Sequence, residues 1–516
     1  MNKWWKGQAQ ISKYILSIDQ GTTGTTAILW NREGISRARS NREHKQYYPR
    51  PGWVEHDPEE IWENVLFTAG EALREGGAAA EDIAAIGITN QRETLVFWDR
   101  RTGKPITGAI VWQCRRTAEM CRRLKEDGHE GVIRSKTGLL LDPYFSGTKL
   151  RWAMENIPEV SRAAREGCLA CGTVDSYLLY RLTGGKVFAT DYSNASRTLL
   201  YNIHSLEWDS ELLKLFKATA EMLPEVLPSS NIFGETEAGF FSGCRIPIGG
   251  IAGDQQAALF GQACYSPGMI KNTYGTGSFL LMNTGDQAVE SRKGLLTTIA
   301  WGVEGRVEYA LEGSIFITGA AVQWLRDGLG LIEKSSDLEN LAARVESNEG
   351  VYLVPAFAGL GAPHWDPYAR GLLIGITGGT TRAHLARAVV EAMAYQTRDV
   401  LEVMQSEAEL PLREMRVDGG ASVMDLLLQF QADITGTIVR RSATFDTTSL
   451  GAAYLAGLAS GFWAGIEALT GRWRQSAAFS PQMDEAAREN LYAGWQKAVK
   501  RALNWAEEEE SPDVQA

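Results

Sequence analysis

The stretch Tyr14-Ile15-Leu16-Ser17-Ile18-Asp19-Gln20-Gly21-Thr22-Thr23 runs an apolar strand into a Gly–Thr turn. Half a chain later Met269-Ile270-Lys271-Asn272-Thr273 runs into Tyr274-Gly275-Thr276-Gly277 in the same way. A turn of this kind exposes consecutive backbone N–H groups and hydroxyls, the groups that cradle phosphate oxygens. One such turn says little, because Gly–Thr hairpins are common in plain β-structure. Two of them, with a third glycine turn at Asp418-Gly419-Gly420-Ala421, predict a nucleotide held between two lobes, and hence phosphoryl transfer.

Outward from these turns, strand-like and helix-like segments alternate. Ile83–Thr89 and Thr94–Trp98 read as strands. Glu59–Leu73 reads as a helix, with Asp57 as N-cap and Pro58 at its first position. Thr381–Gln405 is a long amphipathic helix, with Leu385, Val389, Ala392, Gln396, Val400 and Val403 on one face and Pro411 after its end. A strand (Met415–Asp418), the glycine turn, a helix (Ser422–Ile434), a strand (Thr437–Arg441) and a helix (Leu450–Ser460) follow. The alternation predicts mixed α/β lobes. A chain of 516 residues is too long for one core. The run from Gly261 to Pro267 supplies the boundary, giving domains 1–262 and 263–516. The recurrence of the Gly–Thr turn near each start is a faint internal repeat. Neither a GxxxxGKS/T nor a GxGxxG after a strand occurs, so a nucleotide would bind here by another architecture.

Composition narrows the function classes. The chain is 44% apolar and 22% charged, with a formal charge of −11. No long basic run offers a footprint for a phosphate backbone, which argues against nucleic acid. No window approaches the roughly 18 uninterrupted apolar residues of a membrane span, and Met1–Lys13 lacks the apolar core of a secretory signal. Six cysteines are too few for a disulfide framework. Cys168 and Cys171 form a lone CxxC, read as buried free thiols in a reducing cytoplasm. The six histidines show no HExxH and no i,i+4 pair, which argues against a zinc hydrolase. The Gly- and Ala-rich Glu75–Asp82 and the acidic tail Glu507–Ala516 are the low-complexity segments, and the tail is expected to fray.

Long stretches carry a resemblance from about Tyr14 to Trp505. They are PGWVEHDPEEIW from Pro51, AAIGITNQRET from Ala84, AIVWQCRRTAE from Ala109 and DPYFSGTKLRW from Asp142. GIAGDQQAALFGQ from Gly250, KNTYGTGSFLLMNTG from Lys271, PAFAGLGAPHWDPYARG from Pro355 and DGGA from Asp418 complete them. In these the chain resembles the glycerol kinases of the FGGY carbohydrate kinase family. The resemblance implies an α/β fold of two actin-like, ribonuclease-H-like lobes, with the active site in the cleft between them. It implies ATP and Mg²⁺ as cofactors, glycerol as substrate, glycerol 3-phosphate as product, and a homo-oligomer, dimer or tetramer, in the cytoplasm.

Residue by residue, the resemblance assigns Asp254 as the general base. Taken alone, an Asp before a helix that begins Gln255-Gln256-Ala257 reads more often as a simple N-cap, held ionised by the helix dipole. Arg92 and Glu93 fall on the glycerol-binding pair; alone they read as an exposed ion pair in a turn between strands. A polyol offers a donor and an acceptor on every carbon, so a mixed pair suits it. Tyr144 and Gln255 match further hydroxyl ligands, and Trp112 and Phe279 match the walls over the carbon backbone, although single aromatics are more often core. Thr22, Thr23 and Gly24 are implied to hold phosphates from one lobe, and Thr276 with its flanking glycines from the other. Gly319, Gln323, Gly420 and Met424 fall on nucleotide-contact positions. Asp19 matches the carboxylate facing Mg²⁺, through water, because this cation dehydrates reluctantly.

Departures from the family pattern bear on the nucleotide site and on regulation. Where the family usually continues Ser-Ser-Arg after DQGTT, this chain reads Gly24-Thr25-Thr26, so a fixed positive charge near the phosphates is replaced by Thr26. Met424 stands where an Asn usually contacts the nucleotide, with Asp425 beside it. The glycine-rich loop at which bacterial relatives bind fructose 1,6-bisphosphate reads Gly239-Phe240-Phe241-Ser242-Gly243-Cys244-Arg245. Its Phe pair replaces small residues, which argues against that ligand. The segment near Ser480–Glu489 differs from the version that docks a sugar-transport regulatory protein.

Overall fold

The computed structural model describes residues 12–506; the first eleven residues and the tail expected to fray lie outside them. Each Gly–Thr turn joins the opening strand of a sheet to an antiparallel partner. In the first lobe β1 (Tyr14–Gln20) turns into β2 (Gly24–Trp30), followed by β3 (Ser36–Glu43), β4 (Ile83–Asn90), β5 (Ser230–Glu235) and β6 (Pro247–Gly253). The sheet order is β5-β6-β4-β1-β2-β3. In the second lobe β7 (Met269–Tyr274) turns into β8 (Ser278–Gly285). Then come β9 (Leu296–Val303), β10 (Arg306–Ile315), β11 (Glu414–Gly419), β12 (Val439–Ser442) and β13 (Gln475–Phe479), in the order β9-β10-β8-β7-β11-β12-β13. In both sheets the opening strand is antiparallel to the next strand on one side and parallel to a later one on the other. The internal repeat that the turns suggest faintly is thus explicit in the topology.

Helix α1 (Pro58–Gly76) begins where its caps dictate: Asp57 accepts from the Glu59 N–H at 2.9 Å, and Gly77 closes it at φ 60°. Its Ile61, Trp62, Val65 and Ala69 pack with Leu16, Ile18, Ile86 and Ile88 of the sheet. Helix α2 (Asp254–Gly261) follows β6, and α3 (Arg382–Ala408) lies within the second lobe. The one apolar face expected for α3 understates its burial. Val390, Met393, Tyr395 and Leu401 are buried too, because α4 (Asp425–Thr435) and the helix Asp337–Ala342 cover it beside the sheet. The α4 start is three residues later than the pattern predicts: Gly419 at φ 87° leads into a 3₁₀ turn, Gly420–Val423.

Helix α5 (Thr447–Ala459) comes late in the chain yet packs across β1, β4 and β6 of the first sheet and against α2. The approach is backbone to backbone. A Cβ on Gly87 would lie 2.2 Å from Ala452 O, and one on Gly451 would lie 1.8 Å from Ala257 O. Glycine at both positions is what lets this helix join the lobes. None of the described cysteines is paired; Cys168 and Cys171 are buried, as expected, and Cys244 is half-buried. Among the described residues no helix is long and apolar enough to cross a membrane.

Candidate active site in the cleft

The first turn is braced from behind. Gly21 O accepts from the side-chain amides of Gln20 (2.8 Å) and Gln91 (3.2 Å), Thr22 O from Gln46 Nε2 (2.6 Å), and Thr23 O from the His44 N–H (3.1 Å). In a trans peptide the N–H points opposite to the preceding carbonyl. The N–H groups of Thr22, Thr23 and Gly24 therefore face away from these donors, towards the open side of the turn. The second turn repeats the arrangement. Gly275 O accepts from the Gly319 N–H (3.1 Å), and Thr276 O from those of Thr318 (2.9 Å) and Ala320 (3.0 Å), which orients the N–H groups of Thr276 and Gly277 outward. A Cβ on Gly319 would meet Gly275 O at 2.5 Å, so this glycine lets the helix start seat the turn. Tyr274 pairs with Gly419, which brings the turn of Gly420 and Met424 alongside. Gly420 and Gln323 are exposed. Met424 is 7% exposed and packs into the second-lobe core, and Asp425 is tied to Arg441 at 2.8 Å.

Arg92 and Glu93 sit between β4 and a small sheet that holds Leu95–Asp99. They are 2% and 1% exposed, so the exposed-pair reading is corrected: the turn points inward. Glu93 adopts φ 61°, a backbone state uncommon for a residue with a Cβ. The Arg92 guanidinium reaches Asp254 Oδ1 from Nε at 3.1 Å and the Tyr144 hydroxyl from Nη2 at 3.4 Å. Tyr144 meets Trp112 edge to face at 5.5 Å, and Trp112 Nε1 donates to Thr22 Oγ1 at 2.9 Å. One chain of contacts thus links Asp254, Arg92, Tyr144, Trp112 and the first Gly–Thr turn. Phe279 is half-buried in β8, opposite Thr273.

Asp254 is the first residue of α2 rather than its cap, which is Gly253; its Oδ1 accepts from the Gln255 N–H at 2.7 Å. Burial pushes the Asp254 carboxyl above the usual range, while Arg92 and Lys271 pull it down. Gln255 accepts from Lys271 Nζ, which also donates to Thr273 Oγ1 at 3.1 Å. Burial lowers Lys271 to about 8.

Sequence reasoning missed Lys271, Arg197 and Glu312. Arg197 Nε donates to Glu93 Oε1 at 2.7 Å, and Glu312 is held at about 2 because Arg197 and Arg92 outweigh its burial. The available signal was a lone charge within an apolar strand, as in Tyr309-Ala310-Leu311-Glu312.

Asp19, at the end of β1, is pushed up to about 7 by burial and by Asp254 and Asp446 nearby. That surplus of carboxylate charge fits a divalent cation, although no cage of three or more His, Cys, Asp or Glu forms among the described residues. Thr26, across the ladder from Asp19, accepts from Asn41 Nδ2 at 2.8 Å. In the glycine-rich loop Phe241 is buried, Phe240 packs on Trp62 at 5.1 Å, and Arg245 lies 3.6 Å from Glu237.

The N-terminal domain of the FGGY family of carbohydrate kinases matches residues 14–261, and its C-terminal domain matches 270–460. The chain is 58% identical to glycerol kinase 2 of Thermotoga maritima over 493 residues, 96% of this chain and 99% of that one. It is likewise 58% identical to the glycerol kinase of Carboxydothermus hydrogenoformans, over 96% and 99% of the two chains. Among solved structures, Plasmodium falciparum glycerol kinase with ADP superposes with a TM-score of 0.90 at 38% identity, over 95% of this chain and 98% of that one. The two-lobed fold, the paired turns and these matches together place the chain in the FGGY family of carbohydrate kinases.

Proposed function

We propose that this enzyme transfers the γ-phosphoryl group of ATP to a terminal hydroxyl of glycerol, giving sn-glycerol 3-phosphate, the first step of glycerol catabolism. The observation that carries the reading is the buried Arg92–Glu93 pair, joined through Tyr144 and Trp112 to the phosphate turn and through Arg92 Nε to Asp254. The names of its relatives, glycerol kinases at 58% identity, support the same substrate.

Arg92 donates to polyol oxygens, Glu93 accepts from hydroxyls, and Tyr144 and Gln255 complete the set. Trp112 and Phe279 cover the carbons. Asp254 takes the proton of the reacting hydroxyl as that oxygen attacks the γ-phosphorus in line. The new C–O–P bond forms as the bond to the β-phosphate oxygen breaks, and ADP leaves. The Arg92 and Lys271 charges favour the anion of Asp254 against its burial. The base contributes about 10²–10⁴-fold, with positioning and charge neutralisation supplying the rest. The outward N–H groups of Thr22, Thr23 and Gly24 on one side, and of Thr276 on the other, receive phosphate oxygens. Gly319, Gln323, Gly420 and Met424 lie towards the rest of the nucleotide. Asp19 would hold Mg²⁺, which when bound would supply charge neutralisation at the phosphates. Water is excluded by closure of the lobes. The two domains divide at 262/263.

The test is product formation: Mg-ATP and glycerol with purified protein, read by a glycerol-3-phosphate dehydrogenase that reduces NAD⁺. NADH in proportion to glycerol is expected; ATP consumption without glycerol 3-phosphate would overturn the reading.

A further inference from the structure

The Arg92–Glu93 pair is not held by its own turn. Glu312, fully buried in β10 of the second lobe, accepts from Arg92 Nη1 at 2.5 Å and from Nη2 at 3.0 Å. The same Oε1 accepts from Arg197 Nη2 at 3.0 Å, and Arg197 Nε in turn donates to Glu93 Oε1 at 2.7 Å. Arg92 and Arg197 both belong to the first lobe. A two-point pairing between guanidinium and carboxylate fixes the plane of both groups. Fixing that plane also fixes the direction of Arg92 Nε, the atom 3.1 Å from Asp254.

Two features point to positioning rather than to packing alone. The first is charge: the buried guanidinium groups of Arg92 and Arg197 share the Glu312 carboxylate, at 2.5 and 3.0 Å, so its removal would leave both without that counter-charge. The second is the ranking of Arg92's contacts. Glu312 and Asp254 hold it at 2.5–3.1 Å, whereas Gln256 Oε1 lies at 3.3 Å, the Tyr144 hydroxyl at 3.4 Å and Glu93 Oε1 at 3.8 Å. The Tyr144 contact is one that an incoming hydroxyl can replace while Glu312 still holds the guanidinium.

We propose that Glu312 is the positioning residue of the polyol site. Supplied by the second lobe, it clamps Arg92 directly and Glu93 through Arg197, so that the hydroxyl-binding pair is in register only when the two lobes are together. This rests on the reading of Arg92 and Glu93 as polyol ligands.

The test compares Glu312→Asp and Glu312→Gln with the wild type, measuring KM for glycerol and for ATP separately, and the pH profile of kcat/KM for glycerol. Glu312→Asp keeps the charge but withdraws the carboxylate by one bond, about 1.5 Å. Both variants are expected to raise KM for glycerol about tenfold or more, the scale of one charged hydrogen bond, with KM for ATP within about twofold of wild type. Glu312→Gln should also move the acid limb to lower pH, because a negative charge near Asp254 has gone, whereas Glu312→Asp leaves the limb in place. Should the Gln variant fail to fold, the Asp variant carries the test alone. A wild-type KM for glycerol in Glu312→Asp, or equal losses for both substrates, overturns the proposal. Absence of glycerol-dependent turnover in the wild type instead overturns the reading beneath it.

Discussion

Replacing Asp254 by Asn isolates proton transfer from binding. The amide has nearly the same volume, and its oxygen can still accept from the Gln255 N–H at 2.7 Å, with Arg92 Nε 3.1 Å from the same position. What disappears is the capacity to take a proton, together with one negative charge in a cluster that also holds Arg92 and Lys271. A positioned base is worth about 10²–10⁴-fold, or about 2.7–5.5 kcal/mol at ~1.36 kcal/mol per factor of ten. We expect kcat to fall about 10³-fold at saturating glycerol and Mg-ATP, with ADP binding by calorimetry unchanged within about threefold. The pH profile supplies a second sign. Because burial raises the Asp254 carboxyl, wild-type kcat/KM should be lost as pH falls through a value above the usual aspartate range, and Asp254→Asn should lack that limb. A kcat within about tenfold of wild type, or an acid limb that survives the substitution, would refute the assignment of Asp254 as the base.

Thr26→Arg places a cation opposite Asp19 in the strand ladder and should raise kcat/KM for ATP by up to about tenfold, read from initial rates; an unchanged value would show that the charge is not needed here. Asp19 stands at about 7 without a cation, so apparent Mn²⁺ affinity in the presence of ADP, followed by electron paramagnetic resonance, should weaken by up to about tenfold per unit as pH drops below 7 and level off above it. A flat profile from pH 6 to 8 would remove Asp19 from the metal's environment. Gly451→Ala drives a methyl to 1.8 Å from Ala257 O and should cost about 1–3 kcal/mol, seen as a lower Tm by calorimetry; an unshifted Tm would mean that α5 can move off α2.

Both turns are legible in the sequence because the signal is local: an apolar strand, a glycine, then hydroxyl residues. The Asp57–Pro58 helix start is legible for the same reason, since cap and first turn lie next to one another. The burial of Arg92 and Glu93 is not, because what buries them is distant in the chain. Glu312 stands 220 residues from Arg92 and Arg197 stands 104 from Glu93, and neither pairing leaves a spacing to read. The packing of α5 on the first sheet is hidden similarly: Gly87 and Gly451 look like ordinary glycines until Ala452 and Ala257 are brought against them. The burial of Met424, 7% exposed within the second-lobe core, is likewise set by residues that only the fold brings against it.

In the proposed reaction glycerol is the acceptor and ATP the donor. The direct measurement is ADP formation from Mg-ATP by the purified protein, first alone and then with glycerol, dihydroxyacetone, xylulose or gluconate. Little ADP is expected without an acceptor, and the highest kcat/KM with glycerol. ADP release indifferent to every acceptor, or a clear preference for one of the other three, would contradict the proposed reaction.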